Sequence, residues 1–353
     1  MGQPIFKRKA HRSHPVIPFI GAQFVLRLLP LWFLVGCSQT VVGATPTLMP
    51  DESPMTSNLT STAPVEMTST LTPVVMPSVI PTGVQGTLVM PMLTLTARPS
   101  LTPTYDSATW QSLPVIPAIS DTVRSLYKLG QKNHNNPQAF SKIGDCETSS
   151  AFFLSDFDLG SKAYNLGLYS DLQSTIDYFA GSFGRISLAA GPGYTASAVL
   201  SPIMSDPSQC EAGEIPLACE YRLHRPSFVL VTFGTNDYAN SLSAFERYMR
   251  IIIEDSMKVG VVPVLATKAD DREGNNSINE LIADLAHEYD LPLWNFWAAV
   301  QSLPDHGLKE DGLHLTYFPN HFNDPAAWNY AFPWRNLTAL QVLQALQKAV
   351  TEE

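Results

Sequence analysis

The run Phe228-Val229-Leu230-Val231-Thr232-Phe233 contains one hydroxyl and otherwise only aromatic, β-branched or leucine side chains. A strand with one wet face alternates apolar and polar residues. A run without alternation suits a parallel strand covered on both faces. That segment therefore asks for helices on either side of a sheet, and its neighbours supply them. Helical spacing runs over residues 121–131, 171–179, 244–257, 278–288 and 337–350, with Phe245, Tyr248, Ile252 and Ile253 sharing one broad face. Strand-like stretches cover 140–144, 186–190, 261–266 and 291–296. Strands alternating with helices predict an α/β domain built on a parallel sheet. No internal repeat is present.

In such sheets the functional groups gather at the carboxyl ends of strands. Cys146 follows the first strand in Gly144-Asp145-Cys146, Gly193 follows the second in Gly191-Pro192-Gly193, and Asn236 follows the third in Gly234-Thr235-Asn236-Asp237. Asp311-Gly312-Leu313-His314 lies further downstream. Gly-x-Asn-Asp alone is a weak signal, but three segments delivered to one sheet edge are a stronger one. Acyl transfer needs a nucleophile, a base, a group that orients the base, and donors for a developing oxyanion. His314 suits the base, because neutral imidazole accepts a proton near neutral pH. Asp311, three residues earlier, can curl back to orient the ring. Asn236 can offer its side-chain amide to the oxyanion. Asp145 and Asp237 are expected to hold their loops through backbone N–H groups.

Order and spacing of these blocks, from about residue 138 onward, resemble the SGNH (GDSL-type) hydrolase family. Its first block reads Gly-Asp-Ser, with serine as nucleophile. The resemblance implies a flavodoxin-like three-layer α/β/α sandwich with a parallel sheet, and a triad made by Cys146, His314 and Asp311. It also implies an oxyanion hole from Asn236 and the backbone N–H groups of Cys146 and Gly193, with Gly191 the rival glycine. Cys146 is the departure from the family. A thiolate beside His314 is a competent nucleophile. The same position also suits a site that binds without hydrolysing, or a small buried hydrophobe. The expected function is accordingly an esterase or deacylase acting on ester substrates, carbohydrate O-acyl groups among them. The alternative is a non-catalytic module that binds an envelope glycan or acyl group.

Residues 1–36 combine Lys7, Arg8, Lys9, Arg12 and Arg27 with a short apolar run, which reads as an export signal and not as a membrane span. The run ends in Leu34-Val35-Gly36-Cys37, which resembles a bacterial lipobox and implies lipidation at Cys37. An exported domain tethered at the bacterial cell membrane or envelope is the expectation. Residues 37–105 are rich in Thr, Ser, Pro and Met and nearly uncharged, too poor in apolar patterning to offset the cost of ordering, and are expected to form a disordered stalk. Residues 106–353 then form the folded domain.

Five of the 22 Lys and Arg residues, and none of the 32 Asp and Glu, lie in residues 1–36, so loss of that segment shifts the formal charge from −10 to −15. That sign excludes nucleic acid as the expected partner, since phosphate binding runs on Lys and Arg. Cys210 and Cys219 flank a short loop that an exported chain can close with a disulfide. Asp270-Asp271-Arg272-Glu273-Gly274-Asn275-Asn276 lacks the alternating acids of a calcium loop and reads as a solvated turn. His306 and His321 show no metal-ligand spacing with other residues, and no metal or cofactor is expected. Tyr317 and Phe318, just past His314, are candidates to line a sugar or acyl pocket.

Overall fold

A computed structural model describes residues 105–352. The export-signal reading of residues 1–36, the lipid site at Cys37 and the stalk reading of the following stretch lie outside the described residues. Four strands form one sheet: β1 (Asn136–Gly144), β2 (Pro226–Thr232), β3 (Val262–Ala266) and β4 (Leu293–Trp294), in spatial order β1-β2-β3-β4. All pairings are parallel, with Phe140 opposite Phe228, Phe228 opposite Val262, and Leu265 opposite Leu293. Every residue of β2 and β3 is buried, so both faces of the sheet are covered. The helices are α1 (Asp121–Lys132), α2 (Cys146–Ser149), α3 (Gln173–Tyr178), α4 (Pro216–His224), α5 (Leu242–Lys258), α6 (Ser277–Glu288), α7 (Phe296–Val300) and α8 (Ala331–Thr351). Among them α1 packs on β2, β3 and α8, α4 on β1, and α5 and α6 on β3. This is the expected three-layer α/β/α arrangement.

The stretch 186–190 does not form the expected strand. Only Ala190 bridges β1, in parallel at Gly144, with Gly144 N–H donating to the Ala189 carbonyl and Gly191 N–H donating to the Gly144 carbonyl. Side chains occupy the rest of that edge. Arg185 Nη2 donates to the Phe140 carbonyl at 2.9 Å, and Phe140 N–H donates to Ser182 Oγ at 3.3 Å. Leu188 N–H is taken by a Glu220 carboxylate oxygen and Ala189 N–H by Ser187 Oγ. A ladder needs those backbone groups on both partners, and here they are already engaged. Counting the bridge as a strand position gives the spatial order 2-1-3-4-5 of flavodoxin-like sheets, whose order reverses beside β1.

Two other boundaries moved. The strand expected over 291–296 is reduced to Leu293–Trp294, because Asn295 turns the chain by capping α7 and donates its amide to the Trp110 and Leu113 carbonyls. The last helix starts at Ala331, earlier than the expected residue 337. Pro333 falls in its first turn, where no intrahelical bond requires its N–H. Helix α4 went unread in the sequence; it opens on Pro216 and contains Cys219.

Candidate active site

β1 ends on a glycine for a steric reason. A Cβ at Gly144 would lie 2.6 Å from the Thr232 carbonyl oxygen and collide with the hydroxyls of Thr148 and Thr232, which are hydrogen-bonded to each other. Asp145 then caps α2, its Oδ1 accepting Glu147 N–H at 3.1 Å while its carbonyl accepts from Thr148 and Ser149. The cap turns the chain sharply and sets Cys146, half-buried, at the first position of α2. Asp145 is thus a loop holder, as its position suggested. Burial pushes its carboxyl up to about 7 against the pull of the nearby Arg335 guanidinium.

His314 comes from the other end of the chain. Its Nδ1 lies 2.7 Å from Asp311 Oδ2, and Asp311 Oδ1 accepts the backbone N–H groups of Leu313 and His314 at 3.0 Å each. Burial alone would raise the Asp311 carboxyl, but these hydrogen bonds outweigh it and bring the group down to about 2. The aspartate is therefore ionised at any ordinary pH, and it fixes both the loop and the ring. Leu315 N–H donates to Glu147 Oε1 at 3.1 Å and ties this loop to the Cys146 turn. In consequence Cys146 Sγ, a carboxylate oxygen of Glu147 and a ring nitrogen of His314 all lie within 4.8 Å of one another.

The remaining blocks meet through side-chain clamps. Asn236 Nδ2 donates to the Tyr194 carbonyl at 3.1 Å, which engages one of its two amide hydrogens. Asp237 is buried and accepts the N–H groups of Ala196 and Gly234, fastening the glycine loop to the Asn236 loop. Burial pushes it up to about 6 despite those bonds. Gly193 has φ +75° and nothing within 4 Å of where a Cβ would be, whereas the Gly191 N–H is already committed to the Gly144 carbonyl. Of the two glycines, Gly193 is the one with an open approach.

Two neighbours of the candidate site were missed in the sequence. Glu147 carries the bond that draws His314 toward Cys146, and Arg335 enters from α8, buried beside Asp145 and Glu147. The Arg335 guanidinium lies 4.5 Å over the Phe153 ring and Nη2 donates to Thr148 Oγ1, while its Nε is buried with no partner among the described residues. A lone arginine in an apolar helical stretch was the available signal. With Asp145, Glu147, Lys268 and Asp270 it lines a cavity of about 30 Å³, room for about one or two water molecules.

The turn after β3 is less solvated than its composition suggested. Lys268 Nζ is buried and bonded to Asp270 Oδ1 at 3.0 Å and Glu273 Oε2 at 2.7 Å, and Thr235 Oγ1 donates to Asp270 Oδ2 at 2.6 Å. The acids neutralise a buried lysine and anchor the residue before Asn236. Cys210 and Cys219 are joined in a disulfide with Cα atoms 5.3 Å apart. Tyr317 stacks on Phe152 at 4.0 Å between ring centroids, both rings being partly exposed, while Phe318 stacks on Tyr330. No helix among the described residues is long and apolar enough to cross a membrane.

No protein-family model matches the chain, and no curated protein matches its sequence. Solved structures do align with it. A GDSL-like lipase from Bacteroides thetaiotaomicron is 14% identical at a TM-score of 0.37, the alignment covering 64% of this chain and 99% of that one. A lipase/acylhydrolase from Enterococcus faecalis is 19% identical at 0.36, over 59% and 95%. A catalytic mutant of an acetylxylan esterase from Geobacillus stearothermophilus is 13% identical at 0.38, over 58% and 93%.

Proposed function

We propose that the chain is an ester hydrolase of the SGNH type in which Cys146 replaces the family's serine nucleophile, His314 is the base and Asp311 orients it. The observation that carries this reading is the pair of distances at His314. Its Nδ1 is held 2.7 Å from Asp311, and a ring nitrogen lies within 4.8 Å of Cys146 Sγ. With Nδ1–H donating to Asp311, the Nε2 lone pair is left to take a proton.

The sequence of events follows from those positions. His314 takes the thiol proton as Cys146 Sγ attacks the ester carbonyl carbon. The negative charge that develops on the carbonyl oxygen is met by the second amide hydrogen of Asn236 and the N–H groups of Cys146 and Gly193. The tetrahedral species collapses as the alcohol leaves with the proton from His314, and a thioester remains on Cys146. Water, deprotonated by His314, then releases the acid and restores the thiol; a second alcohol in place of water would give acyl transfer. Substrate is an ester-bearing small molecule or an O-acylated glycan of the cell envelope. The exposed Phe152 and Tyr317 rings supply an apolar face of the kind sugars and acyl chains pack against. The tether belongs to the same proposal: an exported, lipid-anchored domain held off the membrane by residues 37–105. Cys37→Ala is then expected to abolish labelling by a radiolabelled fatty acid, and unchanged labelling would sink the anchor.

The test of the chemistry uses short-chain p-nitrophenyl esters and thioesters with the wild type, Cys146→Ala, Cys146→Ser and His314→Ala. Turnover by the wild type, lost in Cys146→Ala and His314→Ala, is expected, together with iodoacetamide labelling of Cys146. Wild type indistinguishable from Cys146→Ala, with no labelling, would reject the nucleophile. If only Cys146→Ser turned over esters, the scaffold would be a hydrolase silenced by its cysteine, a binding module in its natural form.

A further inference from the structure

The turn that carries Cys146 also gathers ligands of three kinds, one of them unread in the sequence because Glu147 and His314 are far apart along the chain. Cys146 Sγ, a Glu147 carboxylate oxygen and a His314 ring nitrogen lie mutually within 4.8 Å. Thiolate, carboxylate and imidazole are the donor types that divalent zinc accepts, and three protein ligands leave a fourth position for water. We propose that this cluster is a binding site for a thiophilic divalent cation, zinc above all, which closes over Cys146 and reversibly blocks it. The inference shares Cys146 and His314 with the proposed hydrolase site but does not depend on turnover.

Two features beyond proximity support it. Asp311 holds His314 through Nδ1, leaving Nε2 as the coordinating lone pair; a carboxylate behind a histidine in this way fixes the ring and its tautomer for a metal. Glu147 spends Oε1 on Leu315 N–H, which sets the position of its carboxylate beside Cys146 and His314. Binding converts Cys–SH and M²⁺ to a metal thiolate and one released proton, with no change in oxidation state. The ion occupies the sulfur lone pair that would attack a carbonyl, so cation binding and nucleophilic attack exclude each other.

The experiment uses the full chain and metal ions alone. Co²⁺ added to the wild type is expected to give a thiolate-to-cobalt charge-transfer absorption, displaced by Zn²⁺ and absent in Cys146→Ser. Losing even an outer partner of a ligand weakens metal binding roughly 10–100-fold. Glu147→Gln and His314→Ala are therefore each expected to weaken Co²⁺ by about 10-fold or more. His314→Ala changes a partly exposed side chain, so it keeps the test open should Glu147→Gln fail to fold. Zn²⁺ is also expected to protect Cys146 from iodoacetamide, and chelation to restore labelling. Co²⁺ bound without a thiolate band, or wild-type affinity in both variants, would overturn the site. Failure of the hydrolase reading leaves a different signature, since a chain that turns over no ester can still show the cobalt band.

Discussion

Arg335 is the residue whose removal should be felt most widely around the site. It is buried, stacked over Phe153, and faces Asp145 on the cap of α2 and Glu147 on the helix itself. Burying a guanidinium is costly, and burial does push this one below its ordinary range, so the group is retained at a cost in stability. Its compensation is the pair of carboxylates it sits beside. Deleting one partner of a buried charge set leaves the others uncompensated, which typically costs 3–5 kcal/mol. Arg335→Met is accordingly expected to lower stability by about 3 kcal/mol, read as a fall in the urea midpoint at pH 7 with an unchanged slope. A loss below about 1 kcal/mol would mean that Asp145 and Glu147 simply take up protons when the arginine goes. Arg335→Lys should recover little, because an ammonium does not reproduce a flat guanidinium lying over Phe153.

At the scale of elements, the parallel sheet was legible and its edges were not. Phe228 to Phe233 announced a doubly covered strand because burial on both faces removes the need for polar positions. Residues 186–190 carried the same apolar look, yet Arg185, Ser182 and Glu220 occupy the hydrogen-bonding groups a ladder would use, and no local pattern reveals that. Strand β4 was over-read for a related reason, since Asn295 could be recognised as a cap only once Trp110 and Leu113 were known to face it. The loops after α2 and after His314 bring a second prediction. Phe152 and Tyr317 leave the two halves of the site as a stacked, partly exposed pair that touches Phe332 behind it. An aromatic face that holds substrate without joining the chemistry should act on binding. Tyr317→Ala is therefore expected to raise KM several-fold, about 1 kcal/mol of lost contact, with kcat little changed. The comparison of an acetylated sugar with p-nitrophenyl acetate checks it. A fall in kcat with KM unmoved would place the ring in the reacting arrangement instead.

For the molecule as a whole, the candidate site was legible as a set of residues but not as an arrangement. Cys146, Asn236, Asp311 and His314 were named from their blocks, while Glu147, whose bond to Leu315 joins two distant loops, looked like any surface acid after a turn. Buried charge is the general blind spot, because a sequence shows a lysine or glutamate without showing what surrounds it. Lys142 toward the C-terminal end of β1 is the clearest case, with Nζ buried and donating to the Phe183 carbonyl at 2.6 Å. Burial, helped by the nearby Arg185 guanidinium, pushes its ammonium down to about 8 from an ordinary 10.5. Between those two values the unfolded chain keeps a proton that the folded chain has released, so this residue's contribution to stability rises with pH there. It is fully present above the unfolded value and lost as pH falls through about 8. From pH 7 to pH 9.5 the change integrates to about 2 kcal/mol. Lys142→Met deletes the titration while keeping an unbranched apolar stem. Comparing the variant with its parent, both carrying Cys146→Ser to suppress alkaline thiol exchange, cancels tyrosines and other groups common to the two. The stability difference is expected to move toward the lysine form by about 2 kcal/mol over that interval in urea melts. A difference that stayed constant across the same interval would mean that the folded protein keeps Lys142 charged, with water or acidic groups reaching Nζ.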